Sequence, residues 1–526
     1  MASLLTNGRV YTPFARQASA MLVEDGLVAW VGDDASAGAL ASDEVVDLGG
    51  ALVVPGFVDA HVHTTATGLA LTGLDLAGAA SLAEALATVA EHARRTGGRP
   101  LIGSGWDETT WPEGRPPTAA ELDRASFGGV VYLARTDAHS AVVSSALMAA
   151  VPGLPGLAGY RPDGHLVTEA HHAARELALS SITAAQRREL QLAALTHAAS
   201  LGVVAVHEMA GPEISSEDDL RALLALVTPE LPAVYAYWGE LHGIARAREL
   251  GAVGAGGDLF LDGSIGSHTA CMSSAYADAD THGYLRYETA ELAEHILACT
   301  AAGLQAGFHA IGDAATDQVI AAMRLAAERD PRVRTAGHRV EHAELLTDPA
   351  AFAELGLTAS MQPAFDAAWG GPDGMYAQRL GAGRAARLNP LAALAGAGVP
   401  LAFGSDAPVT PIGPWQGVRA AASPRFAEHA ITPRAALTAY GRGGWRAVGA
   451  DADGHGVLAP GHPASYAVYE AGDLAVDAPD GRLAQWSTDE RSGVPGLPDL
   501  APAAELPRCL RTVRRGVQLY DSGELR

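Results

Sequence analysis

Five residues with metal-binding side chains end apolar runs of this sequence, four of them histidines and one an aspartate. Imidazole nitrogen and carboxylate oxygen are the ligands that zinc and related divalent metals take in proteins. Side chains two positions apart on a strand point to the same face, so the first two histidines can hold one ion between them. The five residues are His61, His63, His309, His342 and Asp406.

Each of these residues also has an ordinary structural explanation. A His-x-His pair can lie on a surface, His309 or His342 can be a hydrogen-bonded core histidine, and Asp406 can cap the next helix. These structural explanations are weaker for the five residues taken together, because all five would have to fall at strand ends by chance. No cysteine belongs to the set, which favours a catalytic site that keeps one position open for water.

Eight apolar, β-prone runs alternate with Ala- and Leu-rich helical stretches, a pattern typical of a parallel α/β fold. Eight such units predict a (β/α)8 barrel, whose active site lies at the carboxyl ends of its strands. The five residues would therefore meet at one mouth. The predicted strands are 53–62, 203–207, 233–238, 258–262, 304–309, 339–342, 357–361 and 401–406.

The segments outside these strands predict two further domains. Hairpin signals such as Asp25-Gly26 place β-structure in residues 1–56, and similar runs return in residues 450–526. Neither half is large enough alone, so the two are expected to form one composite β-sandwich. The barrel would comprise residues 57–67 and 201–449. Residues 68–200 are too long for a βα connection and predict an inserted α+β domain that could cover the site.

The composition excludes several classes of protein. Hydrophobic residues make up 48% of the 526 residues, no apolar run reaches the ~20 residues of a membrane span, and the net charge of −24 disfavours binding to nucleic acid. Three scattered cysteines argue against a disulfide framework. We therefore expect a cytoplasmic protein that acts on a small molecule, and its size and apolar content suggest a homodimer.

Seven segments carry a specific resemblance. The chain resembles the metal-dependent amidohydrolase superfamily and, within it, amidohydrolase family 3, in the branch of the N-substituted formamide deformylase-like proteins. The resemblance covers nearly the whole chain and is specific for fold and metal chemistry rather than for substrate. The segments are PGFVDAHVH (55–63), GSGWD (103–107), DGSIGS (262–267), HAIGD (309–313), RVEH (339–342), SMQP (360–363) and GSDAPV (404–409).

The resemblance implies roles for these residues. His61 and His63 would hold a divalent metal, most simply Zn²⁺, with His309 or His342 completing the ligand set. The metal would activate water and polarise the scissile group. Asp406 would accept the proton of that water and later protonate the leaving group, so Asp406 and His342 are the predicted catalytic residues.

One departure from the family concerns the number of metals. Many members carry a carboxylated lysine on the fourth strand that bridges two metals, and Asp258 stands at that position here. Because aspartate is several bonds shorter, we expect that it cannot reach in the same way. One metal per chain is therefore predicted in preference to two.

Further polar residues near the predicted mouth are candidates for a substrate pocket. A structural role is about equally plausible for His207 and Glu208, and common for a tryptophan such as Trp106. His139, His171 and His172 are expected to lie on the surface or in the core of the inserted domain. The pocket candidates are Trp106, Asp107, His207, Glu208, Asp262, His268 and Gln362.

The predicted function is hydrolysis of a C–N bond in a small non-peptide amide, formamide or cyclic amide. Hydrolysis of an ester or deamination of a ring would use the same chemistry. A metal-binding protein without catalysis is a third possibility, but it would have no need of Asp406. Binding of a phosphorylated sugar or cofactor would require a Gly-rich loop near the last strands, which the segment after Asp406 does not provide.

Overall fold

The computed structural model describes residues 2–15, 17–97, 100–472, 474–475 and 496–525, and its centre is an eight-stranded parallel sheet. Adjacent strands pair in parallel register throughout. The predicted barrel is thus present. Its strands are Phe57–Val62, Val203–Ala210, Ala233–Trp238, Gly254–Ala255, Gln305–Ala310, Arg339–His342, Thr358–Met361 and Leu401–Phe403.

Bonds between the end of the first strand and the loop after the last strand close the barrel around the predicted site. Val62 and Ala407 form a parallel bridge. The Asp406 amide donates to the His61 carbonyl at 2.8 Å, and the His63 amide donates to the Ala407 carbonyl at 2.9 Å. The sequence predicted that Asp406 ends the last strand. The strand ends earlier, at Phe403, so Asp406 lies on the loop beyond it.

The predicted first strand, 53–62, is wrong as a single element. It is divided at Gly56 into Leu52–Pro55, which belongs to a terminal sheet, and Phe57–Val62, which begins the barrel. A side chain at Gly56 would overlap Val204, since an added Cβ would lie 2.4 Å from its Cγ1. Glycine therefore allows the chain to pass close to the second barrel strand as it enters the barrel.

The predicted fourth strand, 258–262, is also wrong. The strand is Gly254–Ala255, and Phe260 makes only an isolated bridge to His309. Gly256 and Gly257 have positive φ values of 147° and 81°, which end the strand. Asp258 consequently lies beyond the strand end, at the mouth of the barrel.

Helices surround the barrel and pack their apolar faces on its strands, giving the largest buried cluster of the described residues. The helix Asp313–Arg329, for example, buries Val319, Ala322 and Met323 against the fifth strand's side of this core. The α-helices from the second barrel strand onward are Glu217–Leu226, Ile244–Leu250, Thr289–Ala302, Asp313–Arg329, Pro349–Glu354, Pro363–Trp369, Met375–Leu380, Ala382–Ala385, Leu391–Ala397, Pro414–Ala422, Pro433–Thr438 and Gly444–Ala447.

Two sheets are built from the ends of the chain. The first joins Leu27–Gly32, Ala20–Glu24, Ala2–Thr6 and Glu44–Asp47 in that order, and the helix Asp34–Ala37 lies beside it. The second combines both ends of the chain, and the two sheets share a buried core. Residues 476–495 of the predicted sandwich lie outside the described residues. The second sheet has the order Arg9–Val10, Leu52–Pro55, Tyr466–Glu470, Arg508–Arg514 and Val517–Asp521.

The segment between the first and second barrel strands carries its own five-stranded sheet and its own buried clusters. It begins with the helix Thr64–Thr72 and ends with Ala184–Ser200, which pack on each other. The sheet order is His165–Val167, Ser140–Val143, Val131–Arg135, Leu101–Trp106 and Leu74–Asp75. Further helices are Leu82–Thr96, Ala119–Ala125, Ser145–Ala150 and Thr168–Ser180.

None of the described helices is at once long enough and apolar enough to span a membrane.

Candidate metal centre

Three imidazoles and two carboxylates meet at the mouth of the barrel. The Nε2 atoms of His61 and His63 lie 3.3 and 3.1 Å from Oδ1 of Asp406. The same two nitrogens lie 3.5 and 3.4 Å from Oδ2 of Asp258. The other oxygen of Asp258, Oδ1, lies 3.4 Å from Nε2 of His342. Such a cluster has the donor types and spacing that a divalent metal requires.

The other ring nitrogen of each histidine already has a hydrogen-bond acceptor. Nδ1 of His61 donates to Glu341 at 2.9 Å, Nδ1 of His63 to the Met209 carbonyl at 3.0 Å, and Nδ1 of His342 to Oε1 of Gln362 at 2.8 Å. A neutral imidazole that donates from Nδ1 has its lone pair on Nε2. All three rings are therefore held with Nε2 towards the centre, where a metal would replace the proton on this nitrogen.

A buried charge network fixes the acceptor of His61. Glu341 pairs with the guanidinium of Arg339, which also donates to the Ala60 carbonyl and to Ser360, both at 2.8 Å. Burial opposes ionisation of Glu341, but Arg339 and His61 lower its pKa to about 2. The carboxylate therefore stays charged and can orient His61.

Several buried polar atoms of the cluster have no hydrogen-bond partner among the described residues. A buried polar atom without a partner costs free energy, so a group of them facing one point indicates a missing ligand. Their types, imidazole nitrogen and carboxylate oxygen, fit a divalent cation. They are Nε2 of His61, Nε2 of His342, Oδ1 of Asp258 and Oδ1 of Asp406.

Asp258 corrects the expectation drawn from its short side chain. Because the fourth strand ends at Ala255, the backbone brings Asp258 to the mouth, and its carboxylate reaches His61, His63 and His342. The sequence marked this residue only as a substitute for a lysine. Its position beyond the strand depends on Gly256 and Gly257, whose effect the pattern did not reveal.

His309 lies beside this cluster rather than in it. Its ring is 4.5 Å from that of His342, and its Nδ1 is 3.3 Å from Asp262, but it is in neither group of converging ligand atoms. The two groups are His61 with Asp258 and His342, and His61 with His63 and Asp406. Of the five predicted ligands, the structure therefore brings four together and places His309 next to them.

Two of the converging residues have unusual backbone conformations. His342 and Asp406 have φ values of 70° and 56°, in the left-handed region that L-residues rarely adopt. Non-glycine residues in this region cost free energy and are frequent at functional sites. The strain is consistent with a requirement to aim these two side chains.

The charges of the cluster stabilise one another. Burial opposes protonation of His63, but Asp258 and Asp406 raise its pKa to about 9, and they also raise the pKa of His61 and His342. Burial opposes ionisation of Asp258 and Asp406, but the histidines lower the pKa of both carboxyls. The two carboxylates thus remain available as anionic ligands or proton acceptors.

A cavity of about 980 Å³, including space open to solvent, leads from the cluster. His63, Asp258, His342 and Asp406 form one part of its wall, and His309 extends this part. Side chains of the segment between the first and second barrel strands, such as Ile102, Tyr132 and Leu179, form much of the remainder. The cavity therefore gives a small molecule access to the cluster from solvent.

None of the predicted pocket residues lines this cavity. Four of them hold other parts of the structure. Trp106 is fully buried and donates to the Leu133 carbonyl, Asp107 pairs with Arg135, and Asp262 accepts from three backbone amides between residues 271 and 312. Gln362 acts on the cluster through His342.

The other three predicted pocket residues are also occupied elsewhere. His207 contacts Arg339 inside the barrel at 3.0 Å. Glu208 accepts from the Thr64 amide at the start of the next helix, and burial raises its pKa to about 7. His268 pairs with Asp278 at 2.9 Å. For His207 and Glu208, these contacts match the structural role that the sequence also allowed.

Sequence reasoning missed the contribution of the inserted segment to the cavity. His139, expected on the surface or in the core, lines the cavity with its ring 5.0 Å from that of His309, and Arg175 lines it as well. Both residues belong to the inserted segment and to none of the barrel motifs, so only tertiary structure brings them to the site.

Comparison with known proteins identifies the family of this arrangement. The model described as the amidohydrolase family matches residues 44–520. Protein LONG AFTER FAR-RED 3 of Arabidopsis thaliana is 29% identical over 485 residues, covering 82% of this chain and 79% of that protein. An N-substituted formamide deformylase of Arthrobacter pascens is 32% identical over 167 residues, 30% of each chain.

A solved structure resembles the whole fold. An uncharacterized metal-dependent hydrolase from Pyrococcus horikoshii has a TM-score of 0.70 and 27% sequence identity, and the match covers 90% of this chain and 98% of that one.

Proposed function

This chain belongs to the amidohydrolase family, and from that premise we propose that it is a metal-dependent hydrolase that cleaves a C–N bond in a small non-peptide amide, formamide or cyclic amide. The observation that carries the proposal is the convergence of His61, His63, His342, Asp258 and Asp406. The formamide deformylase to which part of the chain is similar supports the choice of bond.

A single ion per chain, with Zn²⁺ favoured, is the expected cofactor. Both groups of converging atoms include Nε2 of His61. A neutral imidazole nitrogen has one lone pair, so only one of the two groups can use it at a time.

The metal would supply a Lewis acid that activates water and polarises the scissile group. Asp406 is the proposed proton acceptor, because its carboxylate lines the cavity and its Oδ1 has no hydrogen-bond donor among the described residues. The same carboxyl would later return a proton to the leaving nitrogen. His342, which Gln362 holds in one orientation, would position the reacting group beside Asp406.

Ester hydrolysis and ring deamination use the same residues and form the second candidate function. A metal-binding protein without catalysis is less well supported, since a structural site would normally be closed by protein ligands, whereas this one opens into a cavity. A cytoplasmic location and a homodimer stay predictions from composition and size.

Elemental analysis tests the metal, and turnover tests the chemistry. We expect about one divalent metal per chain, lost in a His61→Ala/His63→Ala variant, and hydrolysis of at least one compound in a panel of N-substituted formamides, cyclic amides and matching esters. Asp406→Asn should lower kcat by about 10²- to 10⁴-fold, the usual contribution of a positioned acid or base.

Three results would contradict the proposal. A protein that takes up no metal after reconstitution would have no such centre. Full turnover by Asp406→Asn would remove the assigned proton acceptor. Hydrolysis of esters alone would move the function to the second candidate.

A further inference from the structure

Arg175 is a cation on the wall of the cavity that no carboxylate neutralises among the described residues. It belongs to the helix Thr168–Ser180 of the inserted segment and lines the cavity. Its Nη2 donates to the backbone carbonyl of Glu213 at 2.6 Å. Its Nε is buried without a hydrogen-bond partner. The Nε–H donor is therefore unused by the part of the protein that the structure describes.

The acids near Arg175 are committed to other groups. The carboxylate of Glu213 pairs with His172 at 2.8 Å and with Arg286. Asp137, the acid of the cavity wall outside the metal centre, pairs with Arg135 at 2.8 Å and accepts from Ser264 and Ser267. These bonds leave Arg175 without an internal counter-ion.

Arg135, the second arginine of the cavity wall, provides an internal comparison. It is nearly fully buried and is neutralised by Asp107, Glu108 and Asp137, with distances of 2.8–2.9 Å. The fold thus balances one cavity arginine completely and leaves the other unbalanced. A partly buried guanidinium with an unused donor and no counter-ion is a receptor for an anion, and its N–H groups suit the oxygens of a carboxylate.

Apolar side chains line the cavity near both Arg175 and the metal centre. The ring of Phe260, which lines the cavity, is 6.0 Å from that of His172, three residues before Arg175, and 5.1 Å from that of His309, beside the metal centre. Leu179, one turn after Arg175, also lines the cavity. A molecule that reaches both ends would need an apolar body in the middle.

We propose that Arg175 binds a carboxylate of the substrate, so that the substrates of this site are amides that carry a carboxylate separated from the scissile bond by an apolar body. The inference rests on the proposed function of the metal centre. A carboxylate is favoured over a phosphate because a single guanidinium balances one negative charge and a phosphate would leave a second charge in the cavity without a partner.

The test measures binding with ligands that have no scissile bond, so that it is independent of turnover. Calorimetry on the metal-loaded protein would compare 4-propylbenzoate with 4-propylbenzyl alcohol, and 3-phenylpropanoate with 3-phenylpropanol, which differ in length. We expect the carboxylate of at least one pair to bind about 10- to 100-fold more tightly than its alcohol, as for a hydrogen bond to a charged group.

Variants locate the source of this preference. Arg175→Gln should reduce the ratio of the two affinities to near one, and Arg175→Lys, which keeps the charge but loses the planar fork, should retain part of it. Arg161→Gln, at an exposed arginine of the same segment, should leave the ratio unchanged. Metal content and thermal unfolding would verify that each variant is folded and loaded.

Two outcomes would overturn the inference. In the first, the wild type binds neither carboxylate more tightly than its alcohol. In the second, Arg175→Gln and Arg175→Lys both keep the preference for the carboxylate, which would mean that the metal binds it. A preference that depends on Arg175, in a protein that hydrolyses nothing in the amide and ester panel, would instead remove the proposed function and leave an anion site. The two failures are therefore distinguishable.

Discussion

The three histidines of the cluster differ from ordinary core histidines in how their two nitrogens are used. Each Nδ1 has an acceptor, whereas Nε2 of His61 and of His342 is buried and has no hydrogen-bond partner among the described residues. A core histidine normally satisfies its buried nitrogens within the protein. The acceptors would therefore contribute to metal binding by orienting the rings, without touching the metal.

Replacing one acceptor tests this contribution. Gln362→Leu removes the acceptor of His342 Nδ1 while keeping a similar volume, so the ring loses its fixed orientation and tautomer. We expect the affinity for Zn²⁺ to fall about 10- to 100-fold, the usual effect of losing an outer partner. Competition with a chromophoric chelator would measure the change.

Gln318→Leu is the matched control for that variant. Gln318 is also buried and donates to the Tyr287 carbonyl at 2.7 Å, but it lies on the helix Asp313–Arg329 and makes none of the contacts of the cluster. Its substitution should affect stability and leave metal affinity unchanged. Equal losses of affinity in both variants would mean that the effect of Gln362 is a general one on folding.

At this scale the sequence predicted the histidines better than their partners. His61, His63, His342 and Asp406 could be found because their residue types and their places after apolar runs both pointed to a metal. Asp258 could not, because its place depends on a strand that ends early. His309 has the same sequence signals as His342, and only the direction of its ring separates the two.

At the scale of elements, close contact between strands controls where Asp258 lies. The fourth and fifth barrel strands approach at Gly256, Gly257 and Gly307, where an added Cβ on Gly307 would lie 2.3 Å from the Gly257 amide nitrogen. Real Cβ atoms do not tolerate such a distance to backbone. The contact therefore requires glycine at this strand.

Gly307→Ala should push the two segments apart. We expect a loss of about 1–3 kcal/mol in the free energy of unfolding, the usual cost of overpacking a core. Because Asp258 follows Gly257 directly, metal affinity should fall in the same variant. Denaturant unfolding and chelator competition would measure the two effects.

Gly396→Ala provides the control. Gly396 lies inside the helix Leu391–Ala397, and a Cβ there would meet nothing within 4 Å. Alanine at a helix interior is favoured over glycine by roughly 0.5–1 kcal/mol, so this variant should be as stable as the wild type or more stable. A Gly307→Ala protein with unchanged stability and metal affinity would show that the contact does not set the position of Asp258.

The strands themselves show what a pattern of residues can predict. Six of the eight barrel strands were found close to their observed positions, since buried parallel strands are continuous apolar runs. The exceptions contain glycine at the point of error: Gly56 divides the first run, and Gly256 and Gly257 end the fourth strand early. The pattern of apolar residues alone does not predict where a glycine divides or ends a strand.

At the scale of the whole molecule, a hydrogen bond and an ion pair to one carboxylate connect the inserted segment to the barrel. Glu213 follows the second barrel strand and pairs with His172 of the inserted helix and with Arg286, which precedes the helix Thr289–Ala302. Burial opposes ionisation of Glu213, but the bonds from His172 and Arg286 lower its pKa to about 2. These two contacts therefore hold the wall that contains Arg175 against the barrel.

The low pKa of Glu213 predicts how this connection depends on pH. The carboxyl stays charged in the folded protein down to about pH 2, whereas its ordinary pKa is 4.5. Its contribution to stability is therefore fully present above about pH 4.5 and is lost as the pH falls towards 2. Glu213→Gln should lower the free energy of unfolding by roughly 1–2 kcal/mol at pH 7, as for a partly buried charged hydrogen bond.

Urea unfolding of the wild type and of Glu213→Gln between pH 8 and pH 3.5 would measure this. Since only the wild type carries the titrating carboxyl, the difference should be constant above about pH 5.5 and shrink below pH 4.5. Glu176→Gln, at an exposed position of the helix that bears His172, should show little difference at any pH. The difference in the free energy of unfolding between the two proteins could instead stay constant down to pH 3.5 or grow on acidification. Either result would mean that the Glu213 charge does not stabilise the contact between the inserted segment and the barrel.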